Sequence, residues 1–387
     1  MKYDFDEIIV RKGTDCVKYD GVAEMWGRDD LLPMWVADMD FRTPPFVIDA
    51  IRQRLDQDVL GYTLPCESWY ENIIRWVGKR HNVQVQKEEI GFVPGIVRGI
   101  AFAVNCFTNP GEKVMVQTPV YHPFFLVTEH NHREVVYNSL DIHDGQVHIN
   151  FDRFERDIQG CKLFILCNPQ NPGGRVWTLE ELQRVADICQ RNGVMVISDE
   201  IHADLTLPGY KHHSYATVSE AARQHSIIFM APSKAFNMPG LSSSYSLIFN
   251  KDKRDRFNTY MEASELSMGN MFAYLSCAAA YEQGEDWLNQ MLSYVQGNID
   301  FTEQYLRAHI PSISMLKPQA SYLVFLDCRK LNLSQEQLVD LFVDKAHLAL
   351  NDGTMFGPEG KGFMRLNVGC PRSILQQALT QLEQAIK

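Results

Sequence analysis

Four segments of this chain place reactive residue types just after short apolar runs, where the end of a buried strand meets a ligand. In Ser226-Ile-Ile-Phe-Met-Ala-Pro-Ser233-Lys234, a lysine follows such a run. Desolvation there would yield a neutral amine able to act as a nucleophile, whereas in water the same side chain is an ordinary surface cation. In Val194-Met-Val-Ile-Ser-Asp199-Glu200-Ile201-His202, two carboxylates close an apolar run and need a positive partner: an arginine, a metal, a protonated ring nitrogen, or a plain structural ion pair. Cys167-Asn-Pro-Gln-Asn171-Pro-Gly-Gly174 forms either a rigid loop that aims a side-chain amide at a ligand oxygen or a tight strand-to-helix connection. Val93-Pro-Gly95-Ile96-Val97 puts a glycine turn before a helical stretch, where free N–H groups and the positive dipole end suit a phosphate, or where the glycine serves only the turn.

The elements that must position these loops alternate in kind. Apolar runs at 113–117, 162–166, 194–198, 226–230 and 245–249 read as buried strands. The segment 178–192 reads as a crossover helix: Thr178 and Glu181 make a capping box, Leu182, Val185, Ala186 and Ile188 an apolar stripe, and Gly193 a stop. Strands alternating with helices indicate an α/β domain with a mostly parallel sheet. Helical periodicity at 46–55 and 69–80 precedes it, with Trp69, Ile73, Trp76 and Val77 on one core-facing side. Strands at 322–326 and 363–367, separated by a helix at 334–345, indicate a smaller α+β unit. The division expected is a large α/β domain over 46–285 and a small α+β domain from 1–45 and 286–387.

Composition excludes much else. At 387 residues, with 45% hydrophobic and 22% charged residues, the chain is an ordinary folded protein with room for two or three domains at about 150 residues each. A net charge of −11 repels polyphosphates, and the one basic run, 251–256, is interleaved with acids like a solvated helix face, so nucleic-acid binding is not expected. Apolar runs are too short for a membrane span of about 20 residues, and acids occupy the first residues where a secretory leader would be basic then apolar. A cytoplasmic enzyme is expected. The nine cysteines (16, 66, 106, 161, 167, 189, 277, 328 and 370) are scattered without a C-x-x-C, which suggests neither a disulfide framework nor a zinc ribbon. His130-x-His132 and His212-His213 stand in polar, loop-like stretches and read as solvated; no metal is expected.

In this order and spacing, the four loops resemble the fold-type I pyridoxal 5′-phosphate (PLP) enzymes of the aspartate aminotransferase superfamily. The likeness extends to Tyr19-Asp-Gly, Leu32-Pro-Met-Trp35-Val-Ala-Asp-Met-Asp-Phe41, Gly61-Tyr62, Thr118-Pro-Val-Tyr121-His-Pro-Phe124, Ala320-Ser-Tyr322 and Phe363-Met-Arg365-Leu-Asn-Val-Gly-Cys-Pro-Arg372. This set is similar to the MalY/PatB branch of cystathionine β-lyases, or C–S lyases. The resemblance implies a large, mixed but mostly parallel seven-stranded sheet domain with a smaller α+β domain. It also implies that Lys234 bonds the cofactor and shuttles protons, that Asp199 pairs with the pyridinium nitrogen, and that Asn171 and His202 lie near the ring hydroxyl oxygen. Tyr121 would stack on the ring. Gly95, the amides of Ile96 and Val97, Ser233, and Tyr62 from the second subunit of a homodimer would hold the phosphate. Arg365 would clamp the substrate α-carboxylate through a two-pronged contact, and Trp35, Tyr62 and Tyr121 would line the substrate pocket. The chain departs from many aminotransferases at Ser242, eight residues after the lysine, where those enzymes carry a phosphate-binding arginine; this shifts weight onto Tyr62.

The implied reaction is β-elimination from L-cystathionine or related cysteine S-conjugates, giving pyruvate, ammonia and a thiol. An aminotransferase passes through the same carbanion, so Lys234, Asp199 and Arg365 suit both reactions. A PLP-binding regulatory protein is a further alternative from a different class.

Overall fold

The computed structural model describes residues 2–387. Seven strands make the main sheet: β1 (Ile90–Val93), β2 (Lys113–Thr118), β3 (Glu134–Ser139), β4 (Cys161–Cys167), β5 (Met195–Asp199), β6 (Ser226–Met230) and β7 (Ser244–Leu247). Their spatial order is β1-β7-β6-β5-β4-β2-β3; β7 runs antiparallel to both neighbours and the remaining contacts are parallel. The mixed, mostly parallel seven-stranded sheet is therefore as expected.

Continuous apolar runs become central strands because both faces of the sheet are covered. Val114, Val116, Leu163, Ile165, Ile197, Ile227 and Phe229 enter one core, while the alternate residues Met115, Phe164, Leu166, Val196, Ile228 and Met230 enter the other. Helix α1 (Ile96–Phe107) covers the first face. It lies so close that a Cβ at Gly99 would come within 2.8 Å of the Phe229 ring. Helix α2 (Leu179–Arg191) begins with the expected capping box, Thr178 Oγ1 accepting from the Glu181 N–H at 3.1 Å.

A second, antiparallel sheet has the order β8-β9-β11-β10, built from β8 (Ser314–Leu316), β9 (Leu323–Asp327), β10 (Asn351–Asp352) and β11 (Phe363–Asn367). The N-terminal segment joins this part of the chain, Leu32–Pro33 pairing in parallel with Leu348–Ala349. The 25-residue helix α3 (Glu285–His309) lies beside the C-terminal helix α4 (Arg372–Ile386), and its buried Asn298 donates to the carbonyls of Val368 and Cys370. The helix expected at 334–345 is α-helical at Gln335–Asp340 and widens to a π-helix over Leu341–Lys345.

Candidate active site

The four loops meet beyond the carboxyl ends of β1, β4, β5 and β6, where an α/β sheet leaves a crevice. Lys234 follows β6 by four residues, and its amine turns inward to donate to the carbonyl of Ala37. Burial pushes that amine down to about 8, with Asp38 and Asp199 pulling it back up and Arg365 opposing them. The amine is therefore partly neutral near physiological pH.

Asp199 closes β5 and is 4% exposed. Its Oδ1 accepts the Ile201 N–H at 3.0 Å, yet burial pushes the carboxyl up to about 7. His202 is equally buried, its Nδ1 has no hydrogen-bond partner, and burial pushes its ring down to about 3, so the imidazole is neutral. Asn171, also buried, directs its Oδ1 to Arg365 Nη1 at 3.2 Å, while its backbone carbonyl accepts from the N–H of Tyr121 at 3.1 Å. Tyr121 is half-buried, and burial raises its hydroxyl above the ordinary phenol range.

Arg365 comes from β11 in the second sheet and is 4% exposed. Three neutral oxygens hold it: Asn171 Oδ1, the Trp35 carbonyl at 3.1 Å, and Oδ1 at 2.6 Å of Asn351, its register partner on β10. Phe356 lies under the guanidinium, 4.8 Å from ring centre to Cζ. No carboxylate among the described residues pairs with this cation, and its buried Nε has no partner. Burial pushes it down to about 10.

At the sheet's other loop, Gly95 has φ 120° and ψ 141°, a backbone that L side chains rarely adopt, and turns the chain into α1 so that the first N–H groups of Ile96 and Val97 face outward from the helix end. Ser233 donates to the Ser243 carbonyl at 3.1 Å. Ser242 sits in the left-handed region at φ 51°. Trp35 joins the site through its carbonyl, its indole N–H being spent on the Lys18 carbonyl at 2.9 Å. Tyr62 is not brought to these residues; it is fully exposed in a loop with Val59, Leu60 and Leu64.

A family model described as aminotransferase class I and II matches residues 29–382, spanning all these loops. The chain belongs to that family. It is 41% identical over 384 residues to the cystathionine β-lyase PatB of Bacillus subtilis, covering 99% of each chain. It is 34% identical to the protein MalY of Escherichia coli, covering 100% of this chain and 99% of the other. Among solved structures, cystalysin from Treponema denticola, which contains a pyridoxal 5′-phosphate cofactor, superposes with a TM-score of 0.97 at 33% identity over 100% of this chain and 99% of that one.

Within this aminotransferase-family site, several further participants take roles that the sequence alone does not assign to them. Tyr322 donates to the Ala37 carbonyl at 3.0 Å, beside Lys234. Asn367 donates to the carbonyls of Val36 and Asp38, both at 2.6 Å, and Asn237 to those of Met39 and Phe41. These amides fix the segment that Lys234 and Arg365 both grip. Their side-chain type marks them as hydrogen-bond formers, but their partners lie up to 331 residues away. One expectation is corrected: His212 is not solvated but buried, its Nε2 3.0 Å from Glu200 Oε2.

Proposed function

We propose that this chain is a PLP-dependent C–S β-lyase that cleaves L-cystathionine or related cysteine S-conjugates to pyruvate, ammonia and a thiol. The carrying observation is Arg365: a buried guanidinium with neutral partners and, among the described residues, no acid paired with it, within the electrostatic reach of a partly neutral lysine amine. Such a cation calls for an anionic ligand, and an amino-acid carboxylate matches its fork.

The buried groups also fit the cofactor. A carboxyl that burial pushes up to about 7 is relieved by a cationic ring nitrogen, so Asp199 suits the pyridinium. The unpartnered Nδ1 of His202 and the amide of Asn171 suit the ring hydroxyl oxygen, Tyr121 the ring face, and Gly95, Ile96, Val97 and Ser233 the phosphate. When bound, PLP supplies an electron sink that stabilises negative charge at the substrate Cα. Lys234 would carry the cofactor, then take the Cα proton onto its nitrogen, an exchange that a nitrogen titrating near 8 performs in either direction. Arg365 would fix the α-carboxylate, and with it the Cα–H bond, toward that nitrogen. Loss of the thiolate from Cβ completes the elimination; added water then releases pyruvate and ammonia.

Elimination, rather than transamination of the same carbanion, is supported by full-length similarity to a cystathionine β-lyase at 41% identity. The same reading has the enzyme act in the cytoplasm as a homodimer, Tyr62 reaching the neighbouring site; support comes from its full exposure amid exposed Val59, Leu60 and Leu64. Among the described residues, no helix is long and apolar enough to cross a membrane. The test is L-cystathionine added to the PLP-loaded protein without any keto acid, with lactate dehydrogenase and NADH reporting pyruvate. Pyruvate release supports the lyase; turnover only after a keto acid is added supports an aminotransferase instead.

A further inference from the structure

Residues 36–40 form a strap between the site and a cavity of about 1130 Å³. On the inner side, the Ala37 carbonyl accepts hydrogen bonds from both Lys234 and Tyr322. Asn367 holds the strap from the second sheet through the carbonyls of Val36 and Asp38, and Asn237 holds it from the Lys234 loop, accepting from the Met39 N–H at 2.9 Å and donating to the Met39 carbonyl at 2.8 Å.

On the cavity side, one side chain spans the strap. The Arg11 guanidinium donates from Nη1 and Nη2 to the two Asp38 oxygens at 3.1 and 2.8 Å, to the Met39 carbonyl at 3.2 Å, to Asp40 Oδ1 at 2.7 Å and to Cys16 Sγ at 2.9 Å. Wholly buried Lys18 pairs with the other Asp40 oxygen at 2.7 Å. Asp40 thus has two cations, whereas Asp38 relies chiefly on Arg11, Lys18 Nζ standing 4.0 Å away. Asp38 is also one residue from the carbonyl on which the Lys234 nitrogen rests.

We propose that Arg11 is a positioning residue for the reaction: by clamping Asp38 and the strap behind Ala37, it sets where the Lys234 nitrogen rests and how strongly Asp38 attracts its proton. Among the described residues, five titratable or charged groups bear on that nitrogen. Asp38 on the strap and Asp199 from β5 draw a proton to it, Arg365 from β11 repels one, and His202 and the Tyr322 hydroxyl are uncharged. Removing the Arg11 charge leaves Asp38 with only the Lys18 ammonium at 4.0 Å, which favours the protonated nitrogen. The proposal rests on Lys234 being the cofactor-bearing lysine.

The test is a pH titration of the visible absorption of the PLP-loaded protein, alongside steady-state kinetics. In Arg11→Met, the midpoint should rise by roughly 0.5 pH or more, and kcat should fall roughly tenfold with KM little changed. Arg11→Lys should restore part of both. Asp38→Asn should move the midpoint the opposite way, a reversal that mere loosening of the fold does not produce. Arg42→Met, which alters another arginine lining the cavity that pairs with Glu7, should leave the midpoint in place. A folded Arg11→Met protein with a wild-type midpoint overturns the proposal; should that variant fail to fold, an unmoved midpoint in Asp38→Asn overturns it. Absence of a visible band in the wild type, or its persistence in Lys234→Ala, would instead defeat the underlying reading of Lys234.

Discussion

Asp199 and Glu200 are neighbours where one strand ends, both buried, and treated in opposite ways. The Glu200 carboxylate collects the Ser198 hydroxyl at 3.0 Å, the Ser214 hydroxyl at 3.2 Å, the Tyr215 N–H at 2.8 Å and His212 Nε2 at 3.0 Å. Asp199 accepts the N–H of Ile201, and its carboxyl is pushed up by burial. The same contrast separates some other buried groups. Asp204, two residues beyond His202, gathers Trp76, Arg80 and His81, while Arg365 and His202 each keep a buried nitrogen without a partner. At these positions satisfied buried charge holds the fold together, whereas the unmatched groups of the candidate site leave partners that a ligand could supply.

The sharpest break of this comparison is Lys234→Ala, which should lose the cofactor's visible band and lower elimination by roughly 10³-fold or more. A variant retaining full turnover would remove the lysine from the chemistry. The wild-type amine carries its own pH signature. Because burial pushes it down to about 8, and because the neutral amine attacks the cofactor aldehyde, PLP capture by stripped protein should accelerate through that pH. Stopped-flow absorbance would show this, and a midpoint near the ordinary lysine value would refute it.

Next come the two carboxylates. Asp199→Asn should cut kcat by roughly 10²-fold or more with little loss of stability. Glu200→Gln should instead cost about 1–3 kcal/mol of stability, with kcat per folded molecule nearly unchanged. Linkage sharpens the contrast. The raised Asp199 carboxyl contributes stability that is fully present below its unfolded value, about 4, and is lost as pH rises through about 7. Denaturant unfolding of cofactor-free protein should therefore show the wild type weakening relative to Asp199→Asn across that window.

Much of this was legible in the sequence for a local reason. Strands buried on both faces are continuous apolar runs, so β2, β4, β5 and β6 stood out, and the Thr178–Glu181 box marked the start of α2. β3 did not, because at the sheet edge Glu134-Val-Val-Tyr-Asn-Ser139 mixes polar and apolar residues. Lys234, Asp199, Asn171 and Arg365 were legible through their loops and motif context. The strap stood out only as part of the Leu32–Phe41 motif, and its positioning role was not legible: Ala37 offers only a backbone carbonyl, and Arg11, Asn237 and Asn367 reveal their roles only once remote segments converge. For the same reason, His212 read as solvated until Glu200 lay beside it.

Smaller effects refine the division. Arg365→Lys keeps the charge but loses the fork, so KM for cystathionine should rise roughly tenfold or more, with the visible band intact. An unchanged KM would count against a carboxylate clamp. Thr178→Ala, far down the satisfied side, should cost about 1 kcal/mol in thermal or denaturant unfolding and leave both kinetic constants alone.

The central claim is that the unmatched polar groups around Lys234 mark the place where cofactor chemistry occurs. Borohydride reduction of the PLP-loaded protein, followed by digestion and peptide mass spectrometry, tests it directly. The account predicts one cofactor adduct, on the peptide carrying Lys234, blocked when an amine substrate analogue has first displaced the lysine. An adduct on a different lysine, or none from protein that shows the visible band, would contradict it.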